Sequence, residues 1–369
     1  MMVETLQQLL PGFLIPWLDQ GIQLGQSFFG AYWEGLLAGV WALIKVMLLI
    51  APLMGVIAYA TYGERKVLGS LQIRVGPNVV GPWGLFQPLA DGLKVFLKEI
   101  VFPAKADRIV FFLAPVMSLA PALVAWSVIP FNDFLVVANI NAGLLFILAI
   151  TSFSVYGIIL AGWASNSRYA FLGGMRAAAQ MISYEVAMGL SLVVVLMVSN
   201  SLNLVDIVHG QSQGIFAGMG LNFLSWNWLC LLPMFVIYLI SIFVECNRCP
   251  FDLAEGESEI IGYHVEYSGM GFAVFQLAEY SAMLLGCTLV ALLFLGGWLS
   301  PVGFLPDSAL WFFAKILAVL FLFYWVRGTY PRYRYDQIMR LGWKVFVPIC
   351  LIWLTVVGCW MMSPWNIWK

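Results

Sequence analysis

Eight apolar runs of about twenty residues, parted by short polar loops, commit this chain to threading a lipid bilayer. They lie near 35–60, 109–130, 142–163, 178–199, 226–246, 269–297, 308–327 and 343–362. The basic residues between them are distributed unevenly. Arg65, Lys66, Arg74, Lys94, Lys98, Lys105 and Arg108 follow the first run, Arg168 and Arg176 the third, and Arg248 the fifth. Arg327, Arg332, Arg334, Arg340 and Lys344 follow the seventh. The stretch before the first run and the loops after the second, fourth and sixth have none. Cationic loops stay on the cytoplasmic side, so the odd loops are expected there and both termini outside. Lys369 is the one discordant charge.

Composition excludes a soluble fold. The chain is 62% hydrophobic and 10% charged, where a soluble domain carries about a quarter charged residues. The expected architecture is all-α: a polytopic membrane domain over 34–369, with a 1–33 extension on the outer side. In that extension Pro11, Pro16, Asp19 and Gly21 interrupt the apolar run and no basic segment precedes it, which argues against a signal peptide. The expected functional segments are the cytoplasmic loops 63–108, 164–177, 247–268 and 328–342.

Of six cysteines, only Cys246 and Cys249 form a CxxC pair, and no second pair completes a four-thiolate metal site. They read as ordinary thiols at a helix end, with a redox pair as the alternative. His209 falls in an outer loop and His264 in an inner one, so neither suits a mid-membrane haem. The chain is expected to bind no metal, haem, flavin or iron–sulfur cluster of its own.

The inner loops carry the polar chemistry. Gly76-Pro77 and Gly81-Pro82 break regular structure, predicting an irregular loop over 69–83. Beyond it Leu85, Phe86, Leu89, Leu93, Phe96, Leu97 and Ile100 recur at helical spacing, opposite Gln87, Asp91, Lys94 and Lys98. That pattern predicts an interfacial amphipathic helix of about sixteen residues, suited to anionic lipid. Glu185 enters the fourth run and Glu279 the sixth, where a charge costs about 2.5–3.5 kcal/mol on insertion scales. Lys45 and Lys315 are the other intramembrane charges, and the four together suit an ion or proton route. After the fifth run, Glu245, Asp252, Glu255, Glu257, Glu259 and Glu266 face one arginine, Arg248, within twenty-two residues. Pro250, Phe251, Leu253, Ile260, Ile261 and Tyr263 imply that this loop is packed rather than solvated. Carboxylates about 8 Å apart repel by roughly 2 kcal/mol at an effective dielectric near 20, so they would titrate as a set. The basic and aromatic alternation from Tyr330 to Tyr335 could suit nucleic acid, but seven preceding spans favour lipid head groups or a docked protein.

The runs ERKVLGSLQIRVGPNVVGPWGLFQPLADGLKVFLKE, SNSRYAFLGGMRAAAQMISYEV, ECNRCPFDLAEGESE with EYSG, and VRGTYPRYRYDQ resemble the H-subunit family of bacterial NADH:quinone oxidoreductase (complex I). The first mitochondrially encoded subunit of NADH dehydrogenase is its counterpart. The likeness covers roughly 45–345 in register. It implies a membrane subunit at the junction with the hydrophilic arm, whose inner loops help close the chamber where quinone, ubiquinone in the expected case, is reduced. Partners would be two peripheral subunits at the quinone site, adjacent small membrane subunits and lipid, in a bacterial cytoplasmic membrane. By motif, Arg65, Arg74 and Asp91 match positions near the quinone channel. Glu245, Arg248, Asp252, Glu255, Glu257, Glu259 and Glu266 match the charged loop beside it. Glu185 and Glu279 match buried acids leading toward the proton-translocating subunits. Cys246 and Cys249 match no position of known role. The rival readings are a secondary transporter, disfavoured because no paired broken helices occur in two matching halves, and the homologous membrane anchor of an energy-converting hydrogenase complex.

Overall fold

The computed structural model describes residues 33–133, 135–213, 222–252 and 262–364, and among these every regular element is helical. The 1–33 extension (Trp33 apart), Lys369, Leu253, Ile260 and Ile261 fall outside the described residues. The chain divides into two compact units, Met1–Gly55 and Val56–Lys369.

Among the described residues, seven helices are long and apolar enough to cross a membrane. Six begin as α1 (Trp33–Leu71), α3 (Arg108–Ala125), α4 (Gly143–Ala164), α5 (Arg168–Ser199), α10 (Met270–Leu293) and α11 (Ala309–Thr329). The seventh joins α12 (Tyr335–Leu341) to α13 (Val347–Met362) through a π-helical turn over Gly342–Phe346. Short helices α2 (Gln87–Phe96) and α6 (Leu204–Gly210) lie in loops.

The fifth apolar run folds differently from a single long span. It forms two one-turn helices, α7 (Asn222–Ser225) and α8 (Asn227–Cys230), then α9 (Leu232–Glu245). Pro233 occupies the first turn of α9, where its missing N–H costs nothing. At 1.5 Å per residue the fourteen residues of α9 reach about 21 Å, short of a hydrocarbon core of about 30 Å. The expected count of eight spans turns on this segment.

Several helices outrun their apolar cores. α1 continues to Leu71, α5 begins at Arg168, and α11 holds Arg327, so parts of the expected 63–108, 164–177 and 328–342 loops are helical. Apolar content decides where a helix is buried; capping and proline decide where it stops. The amphipathic helix is shorter than expected, ten residues rather than sixteen. Pro82–Gly84 forms a separate turn ahead of it, with Trp83 at φ 58° and Gly84 at φ 82°.

Within Val56–Lys369, α3 packs on α4 and α10, α4 on α5, α5 on α9 and α13, and α10 on α11. The loops with the basic residues gather at one end. Val101 N–H donates to Ser268 Oγ, Asn166 Nδ2 to Lys105 O, and Tyr333 N–H to Pro250 O. At that end Tyr263 and Tyr267, from the close of the acidic loop, are part of the core with Phe111, Val155, Ala177 and Met181. Tyr267 stacks on Phe111, ring centroids 3.9 Å apart, and donates to its carbonyl. The opposite end closes on Gln211. Its Nε2 donates to Ile207 O and Leu292 O, while its Oε1 accepts from the N–H groups of Asn227 and Gly296.

Candidate functional site

Because α1 is helical through Leu71, Glu64 and Arg65 are adjacent on a helix and about 100° apart around it. Arg65 faces the first loop. Its Nη1 donates to Asp91 Oδ2 at 2.6 Å, and Gln87 Nε2, one turn earlier on α2, donates to Asp91 Oδ1 at 3.0 Å. Both ionic partners are about half exposed, so the pair is worth at most about 1 kcal/mol and orients α2 more than it stabilises it. Arg74 is exposed, in a turn closed by its own N–H to Gly69 O. Two of the three expected channel residues are thus joined directly, and Arg74 is not seen joined to them.

Glu64 faces inward and is buried. Its carboxylate accepts from Tyr280 Oη at 2.8 Å and from Arg327 Nη1, and Arg248 Nη1 lies 3.8 Å away. The Arg248 guanidinium rests 4.0 Å from the Tyr280 ring centroid, with Nη2 4.0 Å from Glu279 Oε2. Glu279 accepts from Tyr263 Oη at 2.7 Å. Among the described residues, two acids and two arginines from α1, α10, α11 and the loop after α9 balance in charge. Such a balance is what makes burial tolerable, since a lone buried charge costs several kcal/mol.

Beside this network lies a cavity of about 60 Å³, lined on its polar side by Ser118, Tyr238, Glu245, Asn247, Tyr263 and Glu279. That volume has room for a few waters among polar partners. Glu185, on α5, is near enough to Glu245 for their charges to interact. Its Oε1 is buried and meets no hydrogen-bond donor among the described residues.

The acidic loop is tied down at both described ends. Buried Asp252 pairs with Arg332 at 3.1 Å, Phe251 stacks on Tyr333, and buried Gln180 donates to both Val244 O and Phe251 O. At the far end, Gly262 lies against Gly173 of α5, so closely that a Cβ on Gly173 would fall 2.8 Å from its backbone. Glu266 is partly buried. Glu255, Glu257 and Glu259 lie outside the described residues. The expectation of a packed loop therefore holds at Phe251 and Tyr263, both buried.

Lys315 plays no part in this network. Its Nζ donates to Gly297 O and Leu299 O and lies 3.8 Å from the Trp226 ring centroid, at the opposite end of the bundle. Lys45 is exposed, with Nζ 5.7 Å from the centroid of Trp41 on its own helix. Of the expected intramembrane charges, Glu279 lines the cavity with Glu245, Glu185 lies near Glu245, and Lys315 braces a turn.

Cys246 and Cys249 are free thiols. Burial pushes the Cys249 thiol above its ordinary range, with Arg332 opposing and Asp252 adding to the rise. At neutral pH less of it is thiolate than in free cysteine, and thiolate is the nucleophile. Iodoacetamide should therefore label Cys249 more slowly than an exposed cysteine at pH 7.5, with the rate still climbing above pH 9. A rate already level below pH 8 would contradict this.

Sequence alone does not assign Glu64, Tyr280, Arg327 or Arg332 to the site. Glu64 begins a Glu-Arg-Lys run that reads as loop charge, and Arg327 and Arg332 read as topological signals. The one clue is that a carboxylate and an arginine each border an apolar run by one helical turn.

The profile of the NADH dehydrogenase family matches residues 44–358. The chain belongs to this family. The H subunit of the NADH-quinone oxidoreductase of Methylibium petroleiphilum is 59% identical over 353 residues, 94% of this chain and 98% of that one. The equivalent protein of a Polaromonas species is 59% identical over 358 residues, covering 95% of this chain and all of its own. That of a Janthinobacterium species is 58% identical over 350 residues, covering 94% and 97%. The buried network lies where the basic loops of this NADH dehydrogenase family member converge.

Proposed function

We propose that this chain is the membrane subunit that helps close the quinone chamber of a proton-translocating NADH:quinone oxidoreductase. It would lie in the bacterial cytoplasmic membrane with its basic loops inside and both termini on the periplasmic side. Near full-length kinship with proteins named as the H subunit of NADH-quinone oxidoreductase carries this reading, and favours it over a hydrogenase-type anchor. Quinone, ubiquinone in the expected case, is the shared substrate, and its electrons come from a neighbouring subunit. The partners are the peripheral subunits at the quinone site, small membrane subunits beside the chain, and lipid.

Reduction of a quinone to its quinol takes two electrons and two protons, so charge appears or protons are withdrawn at the chamber wall. Arg65 and Asp91 hold α2 against α1 and shape the entrance, with Arg74 on the loop between. Glu245, Arg248, Asp252, Glu255, Glu257, Glu259 and Glu266 form the responsive set, since closely spaced acids share protons and answer to a new charge nearby. The cavity between Glu279 and Glu245, with Glu185 beyond, supports a route by which that response passes into the membrane. The chain itself supplies no electron carrier to this scheme, only charge, shape and hydrogen bonds.

Glu257→Gln tests the reading. The purified complex should lose at least about tenfold in quinone reduction, roughly 1.4 kcal/mol of barrier. NADH oxidation by an artificial acceptor, which bypasses the chamber, should stay at the parent rate. Parallel loss of both activities would assign the acid to assembly and remove it from the chamber.

A further inference from the structure

We infer that Gln180 is a positioning residue for quinone reduction: its side-chain amide clamps the turn that opens the acidic loop, and so sets where that loop stands against the bundle. The inference rests on the quinone-chamber reading and adds the residue that holds the loop in place. Three observations carry it. Gln180 lies on α5 and is wholly buried. Its Nε2 donates to Val244 O at 3.1 Å and to Phe251 O at 3.0 Å, so the two hydrogens of one amide hold the chain before and after the turn. Met181, the next residue on α5, meets the turn between those points, where Asn247 Nδ2 donates to Met181 Sδ at 3.8 Å.

A buried amide is costly unless it is bonded, so the two carbonyls give Gln180 its reason to stand in an apolar stretch of α5. The turn has local bonds of its own: Asn247 N–H donates to Val244 O, Arg248 N–H to Phe243 O, and Phe251 N–H to Arg248 O. Those bonds fix its shape, whereas Gln180 fixes its place on the bundle. The clamped segment carries Arg248, which reaches Glu64 and Glu279, and it ends beside Asp252, which pairs with Arg332. Further along the same helix, Ser183 Oγ accepts from Trp343 Nε1 and Tyr184 Oη donates to Ile338 O. One stretch of α5 thus seats both the acidic loop and the segment that follows Arg332. Loss of the Gln180 amide releases the first and leaves the second, so Asp252 moves against an arginine that is still held.

The test uses the purified intact complex carrying Gln180→Leu and takes two readouts. The first is iodoacetamide labelling of Cys249, read by peptide mass; this half-buried thiol lies inside the clamped turn and reports on it without reference to quinone. Its labelling should speed up about threefold or more as the turn opens locally. The second is the kinetics of quinone reduction, where kcat should fall about tenfold and KM should stay within about twofold, as expected of lost placement rather than lost binding. Gln180→Asn keeps the amide but is one methylene too short to reach both carbonyls, and should fall between parent and Gln180→Leu in both readouts. It decides the matter alone if Gln180→Leu does not assemble. Parent labelling, whatever the kinetics, would show that Gln180 does not hold the turn and would overturn the inference. So would a raised KM at the parent's kcat, which would place Gln180 in the binding wall. Faster labelling with parent kinetics would leave the clamp standing and strike the quinone-chamber reading beneath it.

Discussion

Arg327→Met is expected to destabilise the membrane subunit by about 3 kcal/mol, the usual cost of stripping one partner from a buried ion pair. Arg327 is the cation bonded directly to Glu64, whose side chain is 5% exposed. Methionine fills much of the arginine stem's volume, so the loss is of charge and hydrogen bonds rather than of packing. Tyr280 still donates to Glu64, and Arg248 is drawn toward it and away from Glu279. The thermal midpoint of the purified complex should fall, and quinone reduction in what remains assembled should drop by more than about tenfold. Arg327→Lys keeps the charge but loses the planar fork, and should fall between the two. A stable Arg327→Met complex with normal turnover would mean that Tyr280 and Arg248 suffice to hold Glu64 and that Arg327 is dispensable.

Gly173→Ala should be nearly as damaging to function while adding only a methyl group. On α5 its Cβ would lie 2.8 Å from the backbone of Gly262, and backbone cannot swing aside as a long side chain can. Either α5 or the end of the acidic loop must shift, dragging Tyr263 from its hydrogen bond with Glu279. Overpacking of this kind costs about 1–3 kcal/mol, and quinone reduction should fall by roughly the tenfold or more that such a displacement implies. Gly189, on the same helix, is the control: nothing approaches its Cβ within 4 Å. Gly189→Ala should be silent or slightly stabilising, since alanine is favoured over glycine in a helix by about 1 kcal/mol. Equal behaviour of the two variants would deny the glycine contact any role in placing the loop.

The all-α membrane architecture is legible in the sequence because lipid leaves an apolar run of that length few alternatives. The fifth run is the exception: hydropathy averages over Pro233, whereas the last helix of the run starts there, with the proline in its first turn. Periodicity places the amphipathic helix correctly but misses its start, because Trp83 and Gly84 adopt left-handed backbone that periodicity does not register. At the site, the acids of the fifth loop are conspicuous by density. Their anchors are not, since Arg332 pairs with Asp252 across eighty positions and Arg327 with Glu64 across more than two hundred and sixty. Local sequence carries no record of such pairings. Glu64 is hidden further by its neighbours: Arg65 and Lys66 mark the stretch as a basic loop, while one step around the helix turns its carboxylate into the bundle.

The saturated amide at the far end also has an electrical consequence. Among the described residues of that end, Gln211 uses its donors and its acceptor on backbone around it, and Lys315 is held by two carbonyls, so these two polar side chains are already committed. Most of a transmembrane voltage drops across the apolar, weakly polarisable layer between the two ends of such a bundle. The buried arginines and carboxylates lie at the other end, among loops and a polar cavity, and so feel only a small part of it. A full crossing of one charge costs about 2.3 kcal/mol per 100 mV. Rearrangements of Arg248 and its acids should therefore cost almost the same in an energised membrane as in a de-energised one, leaving work against the voltage to be done elsewhere.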